Sequence, residues 1–123
     1  MNNRAHSGIW RTETGSELSI DVDEFSKVTG YFQTKHGHAD YDKKYPLVGW
    51  ANKSLVGFVV SWEDRNSITS WTGVLDEDNG RECIHAVWHL AREFKDEEKT
   101  QKNEYWETFI TFTGTYYRVN DTK

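Results

Sequence analysis

The chain has 123 residues, enough for one domain spanning residues 1–123 that buries about two-thirds of its unfolded surface. It is 36% hydrophobic and 28% charged, with no run apolar enough for a membrane-spanning helix. The net charge of −5 argues against a nucleic-acid groove, which needs a basic face.

Met1 to Ser7 reads as a loose terminus. Gly8-Ile9-Trp10-Arg11-Thr12 is a short strand, followed by a turn at Glu13-Thr14-Gly15. Ser16 to Val22 alternates, with Leu18, Ile20 and Val22 opposite Glu17, Ser19 and Asp21. Asp23-Glu24-Phe25-Ser26 breaks that pattern. Lys27 to Lys35 is a third strand, with Val28, Gly30, Phe32 and Thr34 on one face. A polar loop covers His36 to Lys44, and Tyr45 to Trp50 is a fourth strand whose early Pro46 removes few ladder bonds. Asn52-Lys53 is a tight turn.

The stretch from Val56 to Gly73 carries the strongest signal. Strong β formers run to Trp62, break at Glu63-Asp64-Arg65-Asn66, and resume at Ser67, which is the pattern of a hairpin. Ser67, Thr69 and Trp71 share one face of the second strand. Hydroxyls converging with an indole suit a pocket for a small ligand with a polar head and an apolar body.

Asp76 to Gly80 reads as a further turn. Arg81 to Thr100 fits either of two structures. Ile84, Val87, Trp88, Ala91 and Phe94 have helical spacing, whereas a strand would set Ile84, Ala86, Trp88 and Leu90 against Cys83, His85, Val87 and His89. A charged loop over Phe94 to Asn103 leads to a long strand, Glu104 to Val119, with an interruption near Gly114, and residues 120–123 fray. About eight short antiparallel strands with hairpin-length links predict an all-β up-and-down barrel or a sandwich. A barrel of about eight strands has room inside for one small ligand.

Six tryptophans are spread along the chain, more indoles than a core of this size readily supplies with N–H partners, and they suggest a ligand box or an interface. The single cysteine, Cys83, has no partner for an internal disulfide and reads as a small buried residue. The start, MNNRAHSG, lacks the apolar core of a signal peptide. The protein is therefore expected to be cytoplasmic, or secreted or periplasmic if a leader has been removed ahead of Met1.

The order of landmarks is distinctive. Gly8-x-Trp10, Gly15-Ser16, Thr29-Gly30-x-Phe32 and Tyr45-x-Leu47-x-Gly49 are followed by Val56-Gly57-Phe58-Val59-Val60-x-Trp62, Ser67-x-Thr69-x-Trp71-x-Gly73, Trp88-x-Leu90 and a late Trp106. From about Gly8 to Val119 this resembles the avidins and streptavidins, biotin-binding eight-stranded antiparallel barrels. The resemblance implies a non-catalytic, homo-oligomeric binding protein, dimeric or tetrameric, with biotin as ligand and no cofactor. It implies that Trp62, Trp71 and Trp88 box the bicyclic ring and that a neighbouring subunit lends Trp106 as a lid. It sets Ser16 on the ureido oxygen, Thr69 by the ring sulfur and Ser67 near the carboxylate. Thr34 to Ala39, including His36, would form the loop that closes over the site. It also favours a strand for the ambiguous segment, with Trp88 and Leu90 inward.

The departures lie at the polar end. Where the family surrounds the ureido oxygen with an asparagine, a serine and a tyrosine, the matching positions here are Thr12, Ser16 and Phe32. The family's late aspartate, which accepts from a ureido N–H, has no counterpart in Gly114-Thr115-Tyr116-Tyr117. Each missing partner costs about 1–3 kcal/mol. Biotin is thus expected to bind more weakly, unless Tyr116 or a water satisfies the ureido group. The alternative is an avidin-like barrel that holds a different small molecule or acts through its surface.

Other chemistry finds less support in the residues. His36-Gly37-His38 and His85-x3-His89 invite a metal, but each pair lacks the further ligands that a closed site needs. His85, Val87 and His89 read better as part of a subunit interface, where the histidines would make association pH-dependent. No nucleophile elbow or HExxH motif supports an enzyme.

Overall fold

The computed structural model describes residues 3–34, 43–63, 66–93 and 109–119. A 3-10 turn, Asn3–His6, precedes strands β1 (Gly8–Arg11), β2 (Glu17–Val22), β3 (Lys27–Gln33), β4 (Tyr45–Asn52), β5 (Leu55–Trp62), β6 (Ser67–Asp78), β7 (Arg81–Arg92) and β8 (Phe109–Arg118). Each strand pairs antiparallel with the next, and β8 returns to β1, so the sheet closes as an eight-stranded barrel. The sandwich is excluded, and the barrel closes over two residue pairs of β1 and β8, Trp10↔Arg118 and Arg11↔Tyr117.

Alternation decides which face is inside. Leu18, Ile20 and Val22 of β2, Val28 and Phe32 of β3, Tyr45 and Leu47 of β4, and Val56, Phe58 and Val60 of β5 all turn into one core. Their neighbours along each strand face out, as period-2 geometry requires. The ambiguous segment is strand throughout Arg81–Arg92, because β6 and β8 pair it on both sides. Its helical spacing was a by-product of apolar residues on both faces: Val87 is exposed outside while Ile84 and Ala86 are buried inside.

Turn chemistry sets the registers. Asp23 caps the β2–β3 loop, its Oδ1 accepting from the Phe25 and Lys27 amides at 2.8 and 2.9 Å. Between β4 and β5 the two-residue turn is Lys53-Ser54, one residue later than expected. The segment expected to turn over Asp76 to Gly80 is mostly strand. Pairing runs on through Asp76↔Cys83, Glu77↔Glu82 and Asp78↔Arg81, and the turn itself is only Asn79-Gly80. Both turn residues have positive φ, 52° and 84°, as a primed hairpin turn demands.

The barrel is closed at one end by its own beginning. The segment expected to be loose forms the 3-10 turn that tucks His6 under β4–β5, with Nε2 3.0 Å from the Ser54 carbonyl and no exposed surface. Trp10 is fully buried beside it and donates its indole N–H to the His6 carbonyl at 2.9 Å. Arg118 locks the arrangement, donating to the Ser7 and Ala5 carbonyls at 2.7 and 2.6 Å and to Glu82 at 2.7 Å. Its guanidinium lies 4.3 Å from the centroid of the Trp10 ring. Cys83 is buried and free, as expected, under the outer-face residues His85 and Asp76.

Candidate ligand site

The inner wall is a continuous run of aromatic rings. Trp62, at the end of β5, meets Phe32 of β3 edge-on at 5.8 Å and Tyr45 of β4 at 4.6 Å. Trp71 of β6 lies 5.1 Å from Phe32 and stacks on Phe58 at 5.0 Å. Trp88 of β7 continues the wall 6.4 Å from Trp71, stacked on Phe112 at 6.0 Å and 5.8 Å from Tyr116. The structure therefore brings the three expected box tryptophans together. Pairing explains how, since Phe58, Trp71, Trp88 and Phe112 stand in one row across β5 to β8. β8 is not interrupted at Gly114. A Cβ there would come within 2.7 Å of the Trp88 ring, so the bare backbone is the seat on which that indole rests.

Two of the three wall indoles are fixed by hydrogen bonds. Trp62 donates to Thr69 Oγ1 at 2.7 Å, and Trp71 donates to the Tyr116 hydroxyl at 3.1 Å. Thr69, expected beside a ring sulfur, thus also orients Trp62 and is itself buried. Burial holds the Tyr116 phenol well above the ordinary tyrosine range, outweighing the opposing effect of the Trp71 bond.

The polar end is built by the β1–β2 turn. Thr12 and Ser16 face each other across it, with the Thr12 amide donating to the Ser16 carbonyl at 3.1 Å. The Ser16 amide donates to Thr12 Oγ1 at 3.2 Å, and Thr14 Oγ1 lies 3.0 Å from the same atom. Thr12 is therefore engaged in its own turn. Ser16 is buried, and one step beyond Glu17↔Gln33 the β2–β3 register sets it alongside Thr34, also buried. Phe32 packs into the aromatic wall and brings no hydroxyl. Trp10↔Arg118 and Arg11↔Tyr117 pair β1 with β8, and one further step brings Thr12 alongside Tyr116.

At the mouth, Ser67 pairs with Trp62 on one side and Arg92 on the other. Leu90 stands opposite Thr69, half-buried. Arg92 shares the inward parity of Trp88 and Leu90 and places a cation at the rim, which sequence reasoning missed. So were the ring contacts of Tyr45, Phe58 and Phe112, which depend on strand register. His36 and Trp106, expected in the closing loop and the lid, lie outside the described residues, as do the His36-Gly37-His38 pair and the charged loop expected over Phe94 to Asn103. On the outer face, His85 and His89 are exposed and bonded through Nδ1 to Thr115 and Thr111, each at 3.0 Å.

Comparison with known proteins agrees with this geometry. The avidin family model matches residues 1–112. Afifavidin from Afifella pfennigii is 30% identical over 92 residues, covering 71% of this chain and 58% of the relative, so the chain spans a little over half the length of that protein. The rhizavidin–biotin complex is 26% identical and superposes with a TM-score of 0.77 over 100% of both chains. Xenavidin superposes with a TM-score of 0.79 at 26% identity, over 96% of this chain and 100% of its own. The family is one of non-catalytic, biotin-binding barrels without a cofactor, and its solved members include complexes with biotin. The chain belongs to the avidin family.

Proposed function

We propose that this protein binds biotin, one molecule per barrel, without chemical conversion and more weakly than a site with the full set of ureido partners. The observation that carries the reading is the aromatic wall: Trp62, Trp71 and Trp88 line one interior, with Trp62 oriented by its bond to Thr69 and Trp71 by its bond to Tyr116. Such a box fits a compact bicyclic body. Ser16 and Thr34 supply hydroxyls at the buried polar end, and Ser67 with Arg92 would receive an acidic tail at the mouth. The weakening follows from Phe32 and from the engagement of Thr12, each missing partner lowering affinity roughly 5- to 150-fold.

The same altered polar end favours a second reading, in which the barrel holds another small cyclic compound. Tryptophan fluorescence during titration with biotin tests the first. Quenching or a blue shift that saturates, and that is reduced by Trp88→Phe, is expected. Displacement of the signal by an unrelated cyclic compound and not by biotin would favour the second.

The reading extends to a homo-oligomer, dimer or tetramer. The outer face of β4 to β8 carries Val48, Trp50, Val59, Val74 and Val87 exposed, and Trp50, Gly57, Thr72, Val87 and Thr113 form one row across five strands. A contiguous apolar face of this kind is what a second copy covers.

A further inference from the structure

The hydroxyl of Tyr116 fixes the hydrogen-bond polarity of the site. Its oxygen accepts the Trp71 indole N–H at 3.1 Å, in a fully buried setting. An indole only donates, so the direction of that bond is certain, and the phenol keeps its own O–H to give. Among the described residues, that bond with Trp71 is the hydrogen bond Tyr116 makes. Burial also raises the phenol further from ionisation, which favours retention of the O–H. The surroundings place this donor at the ligand end of the barrel. The Trp88 ring lies 5.8 Å away, Trp71 is held by it, and Thr12 of the β1–β2 turn comes alongside in register.

We propose that Tyr116 is a specificity-determining donor, so that the preferred ligand presents a hydrogen-bond acceptor, not an N–H, toward β8. This rests on the reading of the barrel as a biotin-type site. A urea ring turns an N–H toward each side of its carbonyl. The Tyr116 oxygen, already accepting from Trp71, could take such an N–H only by turning its own O–H away and leaving it unpaired in a dry interior, whereas a ring oxygen or carbonyl at that position would accept the Tyr116 proton. The class of ligand implied is a fused bicycle with an acidic tail whose polar ring is a cyclic carbamate, or carries an equivalent ring acceptor, in place of a symmetric urea.

The test compares biotin with the two cyclic-carbamate analogues in which one or the other ring N–H is replaced by oxygen. Calorimetry would measure all three on the wild-type chain, on Tyr116→Phe and on Tyr31→Phe. The last removes a phenol hydroxyl that bonds Glu17 on the outer wall and controls for loss of a hydroxyl in general. Wild type and Tyr31→Phe are expected to prefer one carbamate over the other, and over biotin, by about tenfold, equivalent to one hydrogen bond of roughly 1.4 kcal/mol. Tyr116→Phe should erase that preference. An unchanged ratio in Tyr116→Phe, or biotin bound more tightly than both carbamates by the wild type, would overturn the inference while leaving the binding function intact. If Tyr116→Phe does not fold, the wild-type ranking alone decides the matter. Binding of none of the three would overturn the proposed function and this inference with it.

Discussion

A few side chains decide the behaviour of whole walls of this barrel. Glu17 on the outer face accepts from the Tyr31 hydroxyl at 2.6 Å and from Arg11 at 2.9 Å. The Tyr31 bond is the main reason its carboxyl sits below the ordinary value of 4.5, with the Arg11 contacts adding to it and partial burial opposing. A carboxyl depressed in the folded state contributes stability that is present above its unfolded pKa and is lost as pH falls through its folded pKa. Wild type should therefore lose more stability between pH 5 and about pH 3 than Glu17→Gln, measured by urea unfolding. Parallel losses in the two proteins would show that the Tyr31–Glu17–Arg11 contacts contribute nothing measurable. The same scale limits what can be read from sequence. The landmark tryptophans and Thr69 were legible because their spacing along single strands survives without a structure. The bond from Trp71 to Tyr116 was not, since it joins residues 45 apart and depends on which face of β8 turns inward.

Among the elements, strands β1 to β5 and the first half of β6 were readable from their β-forming residues and alternation. The far half of β6 and the strand identity of β7 were not. Asp76, Glu77 and Asp78 have turn composition, yet they extend the hairpin because the Asn79-Gly80 turn dictates the pairing and β8 supports it from the side. Tyr117 donates to Asp78 at 3.0 Å, and Arg118 donates to Glu82 at 2.7 Å. Arg81 lies 4.3 Å over the Tyr117 ring. The N-terminal turn was misread for a related reason: MNNRAHSG is polar, but its backbone carbonyls are what Arg118 needs. Charge-assisted bonds of this kind are each worth about 1.5–3 kcal/mol when their partners are left buried. Arg118→Met is thus expected to destabilise the barrel by at least about 2 kcal/mol in chemical denaturation, and to expose the 3-10 turn to proteolysis. An unchanged midpoint would mean that Trp10 and His6 close the end without it.

At the level of the whole molecule, the closed barrel leaves one outer face unaccounted for. Trp50 is 61% exposed on the outer face of β4, over the bare Gly57 of β5. If a second copy covers this face, light scattering at micromolar concentration should give a dimer or tetramer, and Trp50→Asp should shift the mass toward monomer. His85, 3.2 Å from Asp76, and His89 stand on the same side. A wild-type monomer, or a mass indifferent to Trp50→Asp, would contradict this assembly. The eight-stranded count and the antiparallel order were legible before any coordinates. How the outer rows line up across five strands was not, because that follows from registers set at each turn.

The central claim is that the aromatic box still takes a biotin-type ligand although its polar end has changed. Calorimetric titration of the purified chain with biotin tests it most directly. One site per chain is expected, with favourable enthalpy and an affinity well short of the tightest members of such barrels, reduced further by Trp88→Ala. No heat and no thermal shift at millimolar biotin would contradict it, and would mean that the barrel has been kept while the ligand has changed.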